Sequence, residues 1–489
     1  MFRLTPISAA ILLLAAGQAL ADDSTSNQVQ NGTENIASVQ QAASGQSSAS
    51  QNQGGTGNNA MAVQSEASAS TITQSHSGDY NAAYGDQQFG ETQSSISQQA
   101  SGQWNDNFAS QNYGMANFSQ QVQAGDTNFS MVWQDGQTGS QAQSVQNGSG
   151  NEADIEQLVT GQNNSALVIQ NGSGNRGTAW QTEQSNGRIE VYQEGTGNIA
   201  NGWQNLGLSG NQVFNQSGSD NYAEVWQDSQ DGSQASVTQL GTLNEAVIDQ
   251  SFGDGLVPYT GNLASISQAG DSNAAWADQY QGARLNTALY QNGTGNLHYT
   301  YQTGSDHSLT VVSNGTTNQV FMNELRGARH GGQYGTGNRA AIQQNGNDNV
   351  VQMKQQDSSQ VAQLTQNGSG NDATVVQADQ NNELYFEQNG SDNILVADQR
   401  GTANYATGTS NGSLNSVEID QSGAGNQAYV NQLYGDNNIA SVTQTDGVNL
   451  AYITQGGSAN QATVEQAGVN MNASVQQFGT GNVSTVSQQ

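Results

Sequence analysis

An all-β solenoid of stacked two-stranded rungs is the fold this sequence predicts, and three observations predict it. A glutamine, glycine and asparagine signature recurs about every 22–23 residues, inside the window in which a fixed period means a solenoid. Between signatures, residues of two kinds alternate strictly, the pattern of a half-buried strand. The composition is the third: 59 glycines, 2 prolines, 0 cysteines and only 10% charged residues. A chain so rich in glutamine, asparagine and serine either stays disordered or is laid down as stacked β-structure.

The unit is clearest at Gln146-Asn147-Gly148-Ser149-Gly150-Asn151, followed by five residues and Gln157. Asn151, Ala153, Ile155 and Gln157 share one parity; Glu152, Asp154 and Glu156 share the other. The glycine-bearing tetrad is a turn in which Gly148 and Gly150 are free to take positive φ. A looser half-unit follows, as in Asn164 to Gln170, so one period holds two strands and two turns. About twenty periods fit between Gln30 and Gln489. At roughly 4.8 Å per rung they predict two facing parallel sheets in a rod roughly 100 Å long.

Every second residue from the asparagine gives an inward code of Asn, small, β-branched, Gln: Asn221-Ala223-Val225-Gln227, Asn371-Ala373-Val375-Gln377, Asn426-Ala428-Val430-Gln432. A slip of one residue would turn the outward acids inward, so register is fixed. Buried amides left unpaired would cost about 1–3 kcal/mol each. Stacking supplies the partner, because identical carboxamides one rung apart donate one way and accept the other. The expected structural ladder includes Gln30, Asn35, Gln41, Gln146, Asn151, Gln157, Gln170, Asn175, Gln193, Asn198, Gln216 and Asn221. It continues through Gln366, Asn371, Gln377, Gln388, Asn393, Gln421, Asn426, Gln432, Gln477, Asn482 and Gln488.

Three stretches depart from the pattern. Residues 74–111 match loosely, with Gln93 in the place of the turn asparagine. Residues 251–261, which contain Pro258, predict a protruding loop. In the degenerate stretch 302–333, His307 stands where Asn is usual, and Ser313 and Glu324 stand where Gln is. Arg326, Arg329 and His330 cluster there; they balance the acidic surface locally or contact an acidic partner.

The net charge is -31, from 40 acidic and 9 basic residues. That balance argues against a nucleic-acid partner and against insertion at anionic membranes, and it keeps unassembled chains apart. Residues 1–21 read as a secretory signal peptide: Arg3, an apolar run from Ile7 to Ala16, and a small-x-small site at Ala19-Leu20-Ala21. The run is too short to span a membrane. A short polar lead occupies 22–29, and repeats fill 30–489.

In tandem, the signature at Gln146 to Gln157 and its equivalents resembles the curlin repeat of curli fibre subunits. The resemblance implies a β-solenoid subunit that adds end to end into extracellular amyloid fibres, supporting adhesion and biofilm matrix. It also implies an outer-membrane export channel and a nucleator as partners. Two departures stand out: the repeats are far more numerous than in such subunits, and the glycine-rich targeting segment is reduced to 22–29.

No catalytic, metal-binding or cofactor-binding constellation is expected. Gly172 to Gly177 matches a dinucleotide fingerprint but precedes no helix, and His76, His298, His307 and His330 lack metal-ligand spacing. Calcium-binding β-rolls would need a repeated Gly-x-Asp, and an ice-binding solenoid a regular outward threonine array; neither is present. Outward acids such as Asp154, Glu156, Glu418 and Asp420 are expected to act as gatekeepers that delay assembly. The expectation is thus a non-enzymatic fibre subunit that polymerises with itself. The alternative is a monomeric adhesin whose outward aromatics, Trp133, Trp180, Trp203 and Trp226, hold polysaccharide.

Overall fold

The computed structural model describes residues 22–251, 259–323 and 331–489. The chain winds as a β-solenoid of about twenty turns, each of about 23 residues, around two parallel sheets. Strand Gln141–Ser149 lies in the first sheet and pairs in parallel with Ser165–Ser173, which sets Gln146 over Gln170. Strand Glu152–Leu158 lies in the second and pairs with Arg176–Thr182, setting Gln157 over Gln181. Alternate residues of Glu152–Leu158 are buried. Ala153, Ile155 and Gln157 are each 0% exposed, so parity alone decides which side chains form the core.

The turn between the strands explains its glycines. Gly148 has φ +119°, and a Cβ there would stand 1.9 Å from the carbonyl oxygen of Gly172 in the next rung. The same conflict recurs at Gly172 against Gly195. Stacked turns approach too closely for any side chain, which is why glycine keeps this place from rung to rung.

The second turn is more elaborate than a simple return. In the N-terminal half it carries a narrow third ladder, with Gly45, Ser68, Thr92, Met115 and Thr138 bridged in parallel, then Gln162, Ser185, Leu208 and Asp231. Beneath it, long and absent side chains alternate: Glu91, Gln137, Gln184 and Gln230 are buried, with Gly114, Gly161 and Gly207 in between. A Cβ on Gly161 would stand 2.5 Å from Gln137 Oε1, and one on Gly207 2.6 Å from Gln184 Oε1. Each long side chain thus lies over a glycine of the following rung, a two-rung repeat laid on the one-rung period.

Of the irregular stretches, 74–111 resolves into ordinary rungs. Across 74–111 the strands Thr71–Asp79, Ala82–Gln88, Ser95–Gln103 and Asp106–Asn112 keep register. Gln93 does not take the asparagine place expected of it: it is exposed with φ +54°, and the buried turn position falls to Ser94, because the second turn is one residue longer here. In the stretch 302–333 the glutamine column is carried across a break in the strand. The strand Gln319–Met322 breaks off, and Gln333, at the re-entry Gly332–Thr336, fills the column between Gln302 and Gln355. Glu324 itself, with Arg326, Arg329 and His330, lies outside the described residues, as do 1–21 and most of the loop at 251–261, including Pro258.

Candidate assembly interface

Twenty turns of identical register convert single glutamines into columns. In the second sheet the column is unbroken: Gln41 Nε2 donates to Gln64 Oε1 at 2.8 Å, Gln157 to Gln181 at 2.9 Å, Gln377 to Gln399 at 2.8 Å, Gln399 to Gln421 at 2.8 Å, and finally Gln466 to Gln488 at 2.8 Å. The second amide hydrogen is used too, as where Gln157 Nε2 donates to the Gln141 carbonyl at 3.1 Å. Buried carboxamides are satisfied in both directions, which removes the desolvation penalty.

The first-sheet column includes Gln30, Gln146, Gln170, Gln193, Gln216, Gln366, Gln388, Gln432 and Gln477, and it is interrupted. Ser313 and Ser410 restart the ladder, donating through their hydroxyls to Gln344 at 2.8 Å and Gln432 at 2.7 Å, while Gln291 and Gln388 before them donate to the carbonyls of Ala274 and Asp372. His76 and Ala100 break it: neither ring nitrogen of His76 has a partner, nor has Gln123 Oε1 beneath Ala100. Burial pushes His76 down to about 4.

The asparagine column runs through Asn35, Asn151, Asn175, Asn198, Asn221, Asn371, Asn393 and Asn482, and its polarity is opposite. Asn58 donates back to Asn35 Oδ1 through both its backbone N–H (2.9 Å) and Nδ2 (3.1 Å), and Asn482 does the same to Asn460 at 3.1 and 2.8 Å. Glutamines therefore donate toward the C-terminal rung and asparagines toward the N-terminal one. Asn426 sits elsewhere, in the column of the second turn with Asn404 and Asn449. The motif beginning at Gln421 thus straddles opposite sheets from the motif beginning at Gln146.

One ladder was not singled out from the sequence. Gln28, Gln51, Gln74, Gln98 and Gln121 form a further column, buried from Gln51 onward, at 2.8–2.9 Å spacings, where later rungs carry Val168, Val191 and Phe214. The signal was the spacing Gln-x-Gln at Gln28/Gln30 and Gln51/Gln53, two glutamines of one parity.

At the two ends the columns stop. Among the described residues, Thr25–Thr33 pairs only with Ser48–Thr56 and is exposed throughout; Val483–Gln488 pairs only with Gln461–Val469. Val39 and Val486, at opposite ends of one core column, are only partly buried.

The acids lie outside the core in two pairs, Asp154 with Glu156 on strand Glu152–Leu158 and Glu418 with Asp420 on strand Ser416–Ala424. Asp154 is pushed up to about 6, first by burial and then by Glu156 and Glu152; burial also raises Glu156. Asp420 lies in register with Asp398 and is raised by burial and by that like charge. Glu418 is exposed and accepts from Ser441 Oγ at 3.4 Å. Gly172 to Gly177 falls in a strand and turn, not before a helix. Among the described residues no cluster of three or more metal-ligating side chains occurs.

The curlin associated repeat model matches residues 412–445, which hold the strands Ser416–Ala424 and Gln427–Tyr434 and most of Ile439–Gly447. The matched family is structural, not enzymatic. A search of curated proteins returned no match.

Proposed function

We propose that this β-solenoid, which carries a curlin associated repeat, is the structural subunit of extracellular curli-like fibres and lengthens them head to tail. The observation that carries the reading is the complementarity of its two end rungs. Set the C-terminal rung of one copy on the N-terminal rung of the next, in the register of the interior. Gln477 and Gln488 then donate to Gln30 and Gln41, and Asn35 donates to Asn482. Val486 covers Val39, and Val483, 72% exposed, covers Ile36, 61% exposed. Three amide columns at about 1 kcal/mol each add to two strand edges that nothing in the described residues blunts.

Like ends do not match. Two N-terminal rungs would oppose glutamine oxygens to glutamine oxygens, and a parallel ladder has no antiparallel equivalent at that register. The contact is therefore heterologous and does not close on itself, the condition for a filament. A fibre outside the cell, export through an outer-membrane channel, a nucleator partner and a role in biofilm and adhesion follow from the family resemblance as parts of the same proposal. The acids Asp154, Glu156, Glu418 and Asp420 would hold free chains apart until then.

The test is elongation. Purified chain added to sheared fibres should lengthen them with a thioflavin signal proportional to added mass, and electron microscopy should show unbranched filaments. A chain that keeps one molecular mass at every concentration would overturn the reading.

A further inference from the structure

The outer wall of the second sheet holds a groove that fibre growth does not use. Trp180, Trp203 and Trp226 stack in register on three successive rungs, with centroids 6.2 and 3.8 Å apart. One rung later the aromatic column steps sideways: Asp249 lies under Trp226, and Trp276 opens a second stack with Tyr299 at 4.4 Å. Two offset aromatic ridges leave a depression between them. Its volume is about 1160 Å³, and Val247, outward by parity yet only 7% exposed, lies within it.

The groove is chemically mixed. Trp180 and Trp226 are 40% and 43% exposed, while the buried indole N–H of Trp203 has no acceptor. Glu224 is held in place by Tyr222 and Trp226, which both donate to it. Glu245 and Asp249 line the same depression, and no lysine or arginine does. Indole faces bind the C–H faces of sugar rings or cations, and a wall of carboxylates selects against anions.

We propose that this groove binds an amino-sugar polysaccharide, its pyranose faces on Trp203 and Trp226 and its protonated amines paired with Glu224, Glu245 and Asp249. Charge decides the occupant. A uronate polymer or a nucleic acid would be repelled, and so would the wall of a second copy, which carries the same acids and a net charge of -31. The proposal is independent of polymerisation, since one chain contains the whole groove.

The probe is a fully deacetylated glucosamine tetrasaccharide, titrated against the purified chain by tryptophan fluorescence, with the N-acetylated tetrasaccharide and an oligogalacturonate alongside. Saturable binding of the deacetylated probe is expected, weakened roughly tenfold or more by Trp203→Ala and by Glu224→Gln with Asp249→Asn, and reduced by added salt. Trp133→Ala, in the same column but outside the groove, should bind as the parent does and serves as the folding control. Equal binding of the acetylated or uronate probe, no saturable binding, or variants that bind like the parent would overturn the proposal. So would groove variants that bind the sugar normally but stop fibres bundling, since that outcome assigns the wall to a second copy.

Discussion

His298 and Ser313 sit on opposite sheets and share a hydrogen bond of 2.7 Å through the core. Ser313 occupies a glutamine position, and His298 occupies a position filled by Ala275 and Ala246 in the two preceding rungs. The imidazole fills what the shortened side chain vacates, and burial lowers its pKa to about 3, so it is neutral. The exchange is reciprocal and predicts a reciprocal result. Ser313→Gln alone overpacks against the ring and His298→Ala alone leaves a cavity, each costing about 1–3 kcal/mol. The double variant restores the general code, Ala facing Gln, and should be at least as stable as the parent. Denaturant midpoints of the four proteins give the coupling; additive losses would refute compensation.

This pair shows what the sequence disclosed and what it withheld. Parity was sufficient to assign Ala153, Ile155 and Gln157 to the interior and Glu152, Asp154 and Glu156 to the wall, because a strand has only two faces. The period gave the solenoid for the same reason: a two-strand unit cannot bury itself. Counting failed where geometry left the count. Steps of two from Asn318 pass Val320 and Met322, where the strand stops, and the column resumes at Gln333. The sheet to which a motif belongs was also hidden, since both turns use one signature near the C-terminal end and Gln146 and Gln421 look alike. The groove depends on a sideways step between Trp226 and Trp276, which only stacked rungs bring together.

The turn glycines should be the least replaceable residues of the rung. Gly148→Ala combines positive φ with a contact 1.9 Å from the Gly172 carbonyl, so the rungs must separate locally. A loss of about 2 kcal/mol or more is expected, with slower elongation. Gly174, at φ +64° with open space around it, carries only the backbone strain, and Gly174→Ala should cost about 1 kcal/mol. Equal losses in thermal unfolding would show that close approach is not the constraint.

The titrations of half-buried Asp154 and buried His76 oppose each other. Asp154 is raised from 3.8 to about 6 in the folded chain, so the folded state holds its proton more tightly. Its penalty is absent below the unfolded value and appears as pH rises from 3.8 through about 6. His76 is lowered from 6.5 to about 4, so stability is lost as pH falls through that window. Asp154→Asn should therefore raise the denaturation midpoint near about pH 7 and change it little near about pH 4. His76→Gln should gain stability at both, because it restores the hydrogen bond from Gln53, and gain more at the acid end. Midpoints measured across this range check both signs; a Asp154→Asn variant with the parent's pH profile would contradict the first.

The opposed polarity of the two amide columns gives a test of head-to-tail growth that holds charge constant. In the last rung Gln488 accepts from Gln466 through Oε1, while its Nε2 is the group that would donate to Gln41 of the next copy. Gln488→Glu keeps the bond from Gln466, gives up the exposed 3.1 Å donation to the Asn472 carbonyl and removes the outward donor, setting carboxylate against the Gln41 oxygen. Asn482 is reversed: Nδ2 donates inward to Asn460, and Oδ1 is the outward acceptor for Asn35. Asn482→Asp therefore loses an internal bond and keeps the outward acceptor. Each variant adds one negative charge to the same rung. Gln488→Glu loses only an exposed bond at the strand end, so it should unfold close to the parent and elongate seeds roughly tenfold or more slowly, the equivalent of about 1.4 kcal/mol or more. Asn482→Asp should elongate at closer to the parental rate while its terminal rung frays more readily in hydrogen exchange. If both slow elongation equally, added charge is the cause and the donor directions are irrelevant; if neither does, copies do not join through these rungs.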